Sequence, residues 1–202
     1  WFAGLLGMSE RVRGIAHRTA AVVLIADGIY HLFYLAFTND GRRLIKDFLP
    51  VPSDATDVLR VLAYYLGLAH EKPEFARFNY AEKAEYWALV WGLIIMAGTG
   101  IMLWARVFVG NLLPRWWLDV ATAIHLYEAI LAPLAIVVWH FSQVFFDPDV
   151  YPMNWAWWDG KMSFEHYREE HGKDAATLLQ AARQHPAEPG EATPAPVTEQ
   201  PG

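Results

Sequence analysis

The chain has 202 residues, 54% apolar and 15% aromatic, with ten Trp and a formal charge of −6. It contains no cysteine, which excludes disulfides, iron–sulfur clusters, c-type haem attachment and thiolate catalysis by this chain. The mildly acidic balance argues against a nucleic-acid-binding surface. A mean hydropathy of +0.14 averages three long apolar segments with a polar loop and a polar tail.

The chain opens at Trp1 with no initiator Met and no basic region ahead of an apolar stretch. A signal peptide is therefore not expected. Upstream sequence, which could include another helix, is expected instead. A first membrane span is predicted at about 14–37 (AVVLIADGIYHLFYLAF). A polar connection, 38–83, follows. Within it an amphipathic helix is predicted over 54–68, with Ser53 or Asp54 as N-cap and apolar residues at 58, 59, 62, 65 and 66. That face suits the membrane surface.

The second span is predicted at about 84–108 and the third at about 118–146, each long enough to cross roughly 30 Å of hydrocarbon, with aromatics crowding the ends. Pro133 lies inside the third and should kink it, which neighbouring helices in a membrane tolerate. A polar tail runs over 173–202. From about Ala187 it is rich in Pro, Glu and Thr, and disorder is expected there. The fold expected is all-α, an integral membrane helical bundle, with one membrane domain over 1–172. The loop 38–83 and the tail share one side and carry eleven of the sixteen Lys and Arg residues. The positive-inside rule puts that side in the cytoplasm of a bacterial inner membrane.

Four histidines carry the functional reading. His17 and His31 lie fourteen apart in the first span, and His125 and His140 fifteen apart in the third. Either spacing covers about 21–23 Å along a helix, most of the hydrocarbon thickness. Fourteen helical steps return to within about 40° of the start and fifteen to about 60°, so each helix shows two imidazoles on roughly one face. The first and third spans are separated by one crossing and run parallel. His17 and His125 then share the periplasmic side, and His31 and His140 the cytoplasmic side. Two stacked bis-histidine sites suit two haems b that shuttle electrons across a membrane, because bis-imidazole ligation leaves no axial position for substrate. The plainer alternative is hydrogen bonding within a helix bundle, and four histidines at paired spacing on parallel spans argue against it.

Arg11, Arg13 and Arg18 beside His17 are either haem-propionate partners or interfacial anchors. The small residues near the histidines, Gly28 among them, either make room for porphyrin or serve helix packing. Asp27 and Glu128 lie one turn from His31 and His125, where each either assists its histidine or is a protonated carboxyl bonded locally. His70, His166 and His171 are expected at the surface, with no ligand set around them. No phosphate loop, nucleophile elbow or metalloprotease motif occurs.

The stretch RVRGIAHR, the segment RFNYAEKAEYW (Arg77 to Trp87), the paired histidines of the last span and YPMNWAWWDGKMSFEHYREEH (Tyr151 to His171) resemble the membrane cytochrome b subunits of formate dehydrogenase (gamma subunit) and nickel–iron hydrogenase. The resemblance covers about residues 8–172. It implies a four-helix di-haem bundle that exchanges electrons between a partner redox subunit and membrane quinone, menaquinone or ubiquinone. It matches His17, His125 and His140 to haem ligands, and Asn79, Tyr80, Glu82 and Lys83 to the quinone site. Those four residues also read as a polar helix start, with Asn79 as N-cap and Glu82 as its capping partner.

Two departures from the family pattern stand out. Its first helix has no counterpart here, and His31 is an extra histidine. Either His31 ligates the cytoplasmic-side haem with His140, or an upstream histidine does so and His31 lies beside the quinone. The expected function is that of a di-haem cytochrome b subunit in a larger membrane-bound respiratory oxidoreductase complex. Its partners would be lipid, quinone, and a periplasmic or membrane-associated subunit holding iron–sulfur clusters or multihaem cytochrome c. The alternatives are a haem-free membrane anchor and a proton-conducting transporter, the latter lacking matched broken helices or repeats.

Overall fold

Long apolar runs closed by polar caps dictate the architecture. A computed structural model describes residues 7, 9–71, 73–146 and 155–184. Among the described residues all regular structure is helical. Three helices are long and apolar enough to cross a membrane: Glu10–Phe37, Tyr80–Trp104 and Trp116–Phe146. The tail expected to be disordered from about 187 lies outside the described residues, as do 151–154 of the post-span motif and Lys72. The chain divides into two compact units, Trp1–Phe48 with Tyr86–Ala135, and Leu49–Glu85 with Ile136–Gly202.

In the first unit, α1 (Glu10–Phe37) starts before its apolar run because Ser9 Oγ accepts the Val12 N–H at 3.3 Å and Glu10 sits in the first turn. It stops at Thr38, which is extended. The Thr38 hydroxyl accepts the Gly41 N–H at 2.9 Å and so caps α2 (Asn39–Phe48). A Cβ at Gly41 would collide with the Tyr34 carbonyl oxygen and lie 2.8 Å from Leu35 Cα, so the α1–α2 corner closes only on glycine. No helix is expected here, at the start of the polar connection 38–83. Its signal was the Thr38 cap followed by Leu44, Ile45 and Phe48 at helical spacing.

The second span forms α4 (Tyr80–Trp104); the intervening α3 (Pro52–Tyr65) belongs to the other unit. The span ends at Trp104 rather than 108 because the backbone turns at Ala105 and restarts as α5 (Arg106–Leu112). The third begins as α6 (Trp116–Leu134), with Pro133 in its last turn. Beyond Pro133 the hydrogen bonding widens from α to π over Ala135–His140 and Ser142–Phe146. Proline lacks an N–H and crowds the carbonyl four residues back, and a wider ladder accommodates that misfit. Gly28 and Gly92 mark close approaches. Added Cβ atoms there would come within 2.8 Å of Leu93 Cδ2 and 2.7 Å of Glu128 Oε1, so Gly28 serves helix packing. Val23, Ile29, Leu32 and Phe33 of α1 are each more than half exposed, a surface suited to lipid.

In the second unit, α3 (Pro52–Tyr65) takes Val51 as N-cap, not Ser53 or Asp54. Pro52 at the first helical position needs no N–H partner, and Asp54 Oδ2 reaches back to accept the Val51 N–H at 2.8 Å. The helix also ends sooner than predicted. Leu68 N–H bonds the Ala63 carbonyl at 2.8 Å and Gly67 N–H bonds that of Tyr64 at 3.0 Å, with Gly67 at φ +72°. This double bond over a left-handed glycine is a Schellman stop. Val58, Leu59, Leu62, Tyr65 and Leu66 are exposed, while Asp57 and Val61 are buried.

Three short helices follow the last span: α7 (Ala156–Asp159), α8 (Phe164–Glu170) and α9 (Gly172–Gln184). The corner between α8 and α9 sits on the segment leading into α4. Lys173 N–H donates to the Phe75 carbonyl at 3.1 Å and His171 Nδ1 to that of Ala76 at 3.0 Å. Phe75, Ala81, Ala175 and His171 are all buried. The surface position expected for His171 is thus overturned: its ring satisfies a backbone carbonyl that no strand or helix pairs. His70 is exposed, and His166 is half-buried with Nε2 3.5 Å from Glu170.

Candidate functional site

The paired histidines are distributed over both units, His17, His31 and His125 in the first and His140 in the second. α1 and α6 bring His17 and His125 together, ring centres 6.1 Å apart and planes crossing at 88°. Two imidazoles this close on neighbouring spans are the residue types that would hold a haem iron.

The second span fixes the ring of His125. Thr99, in the middle of α4, donates its hydroxyl proton to the Ile95 carbonyl at 2.6 Å. Its oxygen then accepts the Nδ1–H of His125 at 2.9 Å. Nε2 of His125 is left with its lone pair, the form that binds a metal. Gly100 makes this possible sterically, since a Cβ there would stand 3.2 Å from His125 Cε1. Gly98-Thr99-Gly100 by itself is consistent with helix packing or with room for porphyrin, packing being the commoner case. The sign that was available is a hydroxyl flanked by glycines on a helix facing a histidine helix.

Two of the arginines near His17, Arg13 and Arg18, make contacts within the first unit. Arg13 pairs with Glu10, and the Arg18 guanidinium stands 5.8 Å from the Trp104 ring centre. Both contacts suit interfacial anchoring.

His31 meets a different partner. Its Nε2 lies 3.1 Å from the Tyr86 hydroxyl. Tyr86 stacks on Phe48, ring centres 4.4 Å apart, and the neighbouring Trp87 donates its Nε1–H to the Phe48 carbonyl at 2.9 Å. To bind a metal through Nε2, His31 must give up the Tyr86 bond.

In the second unit His140 Nδ1 faces Glu85 Oε2 at 3.0 Å. A carboxylate only accepts, so Nδ1 carries the proton; in the neutral ring Nε2 then keeps its lone pair. The other Glu85 oxygen is buried with no hydrogen bond among the described residues. Sequence reading missed Glu85, although it stands fourteen residues before Thr99, nearly the spacing of His125 and His140.

The residues matched to a quinone site form a capped helix start. Asn79 Oδ1 accepts the N–H groups of Ala81 and Glu82 at 2.8 and 2.9 Å, and Glu82 Oε2 accepts the Asn79 N–H at 2.7 Å. This is the reciprocal capping expected of them. Tyr80 rests against Phe75, ring centres 6.0 Å apart. Lys83 is buried, with Nζ 2.9 and 3.0 Å from the two Asp54 oxygens.

Among the described residues no group of three or more His, Asp or Glu could hold a bare metal ion. The donors present are imidazoles in ones and twos, as a porphyrin-bound iron requires. Neither the curated proteins nor the solved structures contain a match. The sequence profile described as prokaryotic cytochrome b561, however, aligns with residues 2–152, across all three spans and all four histidines. The chain therefore belongs to the prokaryotic cytochrome b561 family, membrane cytochromes b that bind haem b and transfer electrons, the family of the hydrogenase and formate dehydrogenase cytochromes its motifs resemble.

Proposed function

We propose that this chain is the di-haem cytochrome b subunit of a membrane-bound respiratory oxidoreductase, carrying electrons between a partner redox subunit and quinone. The observation that carries this reading is the His17–His125 pair, 6.1 Å apart on two spans with the Nδ1 of His125 held by Thr99. Haem b, when bound, would supply a one-electron couple. The protein's part is to supply ligands, spacing and electrostatics. His17 and His125 hold one haem. His140, with its Nδ1 fixed by Glu85, holds the second together with His31.

A second reading concerns His31 alone. Its bond to the Tyr86 hydroxyl favours a place beside the quinone, where imidazole and phenol can each bond a carbonyl oxygen. The other ligand of the second haem then comes from elsewhere.

Asn79, Tyr80, Glu82 and Lys83 are proposed to flank the quinone on the cytoplasmic side. The capping box holds this helix start rigid, and Glu82 and Lys83 are the groups there able to move protons. The exposed apolar face of α3 rests on the membrane surface, and Arg13 and Arg18 either pair with haem propionates or anchor the first span at the opposite interface. The partner subunit supplies iron–sulfur or multihaem c centres, since this chain has no thiols.

The test is a reduced-minus-oxidised spectrum with pyridine-haemochrome quantification on the purified chain. Two haems b per chain are expected, falling to one in His125→Ala and in His140→Ala. One haem in His31→Ala makes it a ligand; two haems move it to the quinone. No haem in the intact chain leaves a haem-free anchor.

A further inference from the structure

Both last-span histidines have Nδ1 held by a side chain of the second span, yet the two holders differ in charge. Thr99 presents a neutral oxygen whose proton is committed to Ile95 at 2.6 Å, and it accepts from His125 at 2.9 Å. Glu85 presents a carboxylate to His140 at 3.0 Å. Its second oxygen is buried without a hydrogen bond among the described residues, so no donor there draws charge away from the oxygen facing His140. Thr99 is buried, and the Glu85 side chain is 29% exposed. The His140 side chain is 50% exposed.

An imidazole whose N–H points at a carboxylate is a stronger donor to a metal than one whose N–H points at a hydroxyl, because negative charge shifts through the ring to Nε2. A stronger donor favours the oxidised, more positive iron, and axial-ligand basicity is one of the protein's levers on haem potential. Charge-assisted hydrogen bonds are about twice as strong as neutral ones.

We propose that Glu85 and Thr99 are positioning residues that set the two haem ligands unequal: the carboxylate on His140 holds its haem at the lower midpoint potential, and the hydroxyl on His125 leaves its haem at the higher one. This rests on the di-haem reading and goes beyond it, since that reading requires only that both histidines bind.

The test is a redox titration of the full chain in its membrane, followed at the haem bands, with haem content measured in parallel. Two components are expected. Glu85→Gln keeps an acceptor without the charge. It should raise the lower potential alone, by on the order of tenfold in the reduction equilibrium, about 59 mV for one electron, with two haems retained. Thr99→Val should move the higher component alone and change the low-spin electron-paramagnetic-resonance signal of that haem. If Glu85→Gln loses a haem, Glu85→Asp, which restores the carboxylate, must recover both the haem and the low potential.

Two haems with unchanged potentials in Glu85→Gln overturn the inference while leaving the di-haem reading intact. A shift of the higher component in that variant overturns the assignment of low potential to His140. An intact chain without haem overturns the reading beneath both.

Discussion

Single side chains in the second unit show how burial sets their chemistry. Tyr167 donates its O–H to Asp174 at 2.6 Å. Burial first, then the neighbouring Asp174 carboxylate, push its phenol from 10.0 up to about 12. The folded chain holds this proton more tightly than the unfolded one. The stabilisation is therefore complete below about pH 10 and is lost as pH rises through about 12. Thermal unfolding in detergent should show a fall across that window, shallower in Tyr167→Phe; equal slopes would remove Tyr167 from the account.

Lys83 gives a second residue-scale expectation. Lys83→Met leaves the largely buried Asp54 carboxylate without its cation, at a cost of about 3–5 kcal/mol. The double variant Lys83→Met/Asp54→Asn should recover most of it, because the asparagine oxygen can still accept the Val51 N–H. If stability returns without quinone-linked turnover, Lys83 serves the quinone as well as the fold. If both return, its role is structural.

Among the elements, α3 depends on how it stops. Gly67 sits at φ +72°, and an L-residue there costs about 1–2 kcal/mol. Gly67→Val should raise amide exchange over the last turn of α3 and leave α4 protected, read by hydrogen-exchange mass spectrometry. Unchanged exchange would show that packing, and not the Schellman stop, ends the helix. The third span illustrates a different element-level rule. Its apolar content was legible over 118–146, but the passage from α to π after Pro133 was not. Periodicity assumes one turn angle throughout, whereas proline removes one ladder bond and lets the ladder choose another spacing.

For the whole molecule, the distribution of charge predicts sidedness. Because the chain has no cysteine, single substitutions report it cleanly. Thr56→Cys in the loop and Ala176→Cys in α9 should react with a membrane-impermeant maleimide from the cytoplasmic face. Asn111→Cys, between the second and third spans, should react from the other. The reverse pattern would invert the proposed topology, and the place of the quinone with it.

The three spans and the spacing of the four histidines were decided by the sequence alone, because hydrophobic length and helical repeat are local properties that each segment carries by itself. The capping of α4 by Asn79 and Glu82 was legible for the same reason: its partners lie three residues apart. Thr99 on His125, Tyr86 on His31, Glu85 on His140 and His171 on Ala76 were not legible. Those partners lie 26 to 95 residues apart, and no local pattern selects among the polar groups that could meet. Tertiary packing makes that choice, since a polar group removed from water must take whichever partner the neighbouring helix brings within hydrogen-bond reach.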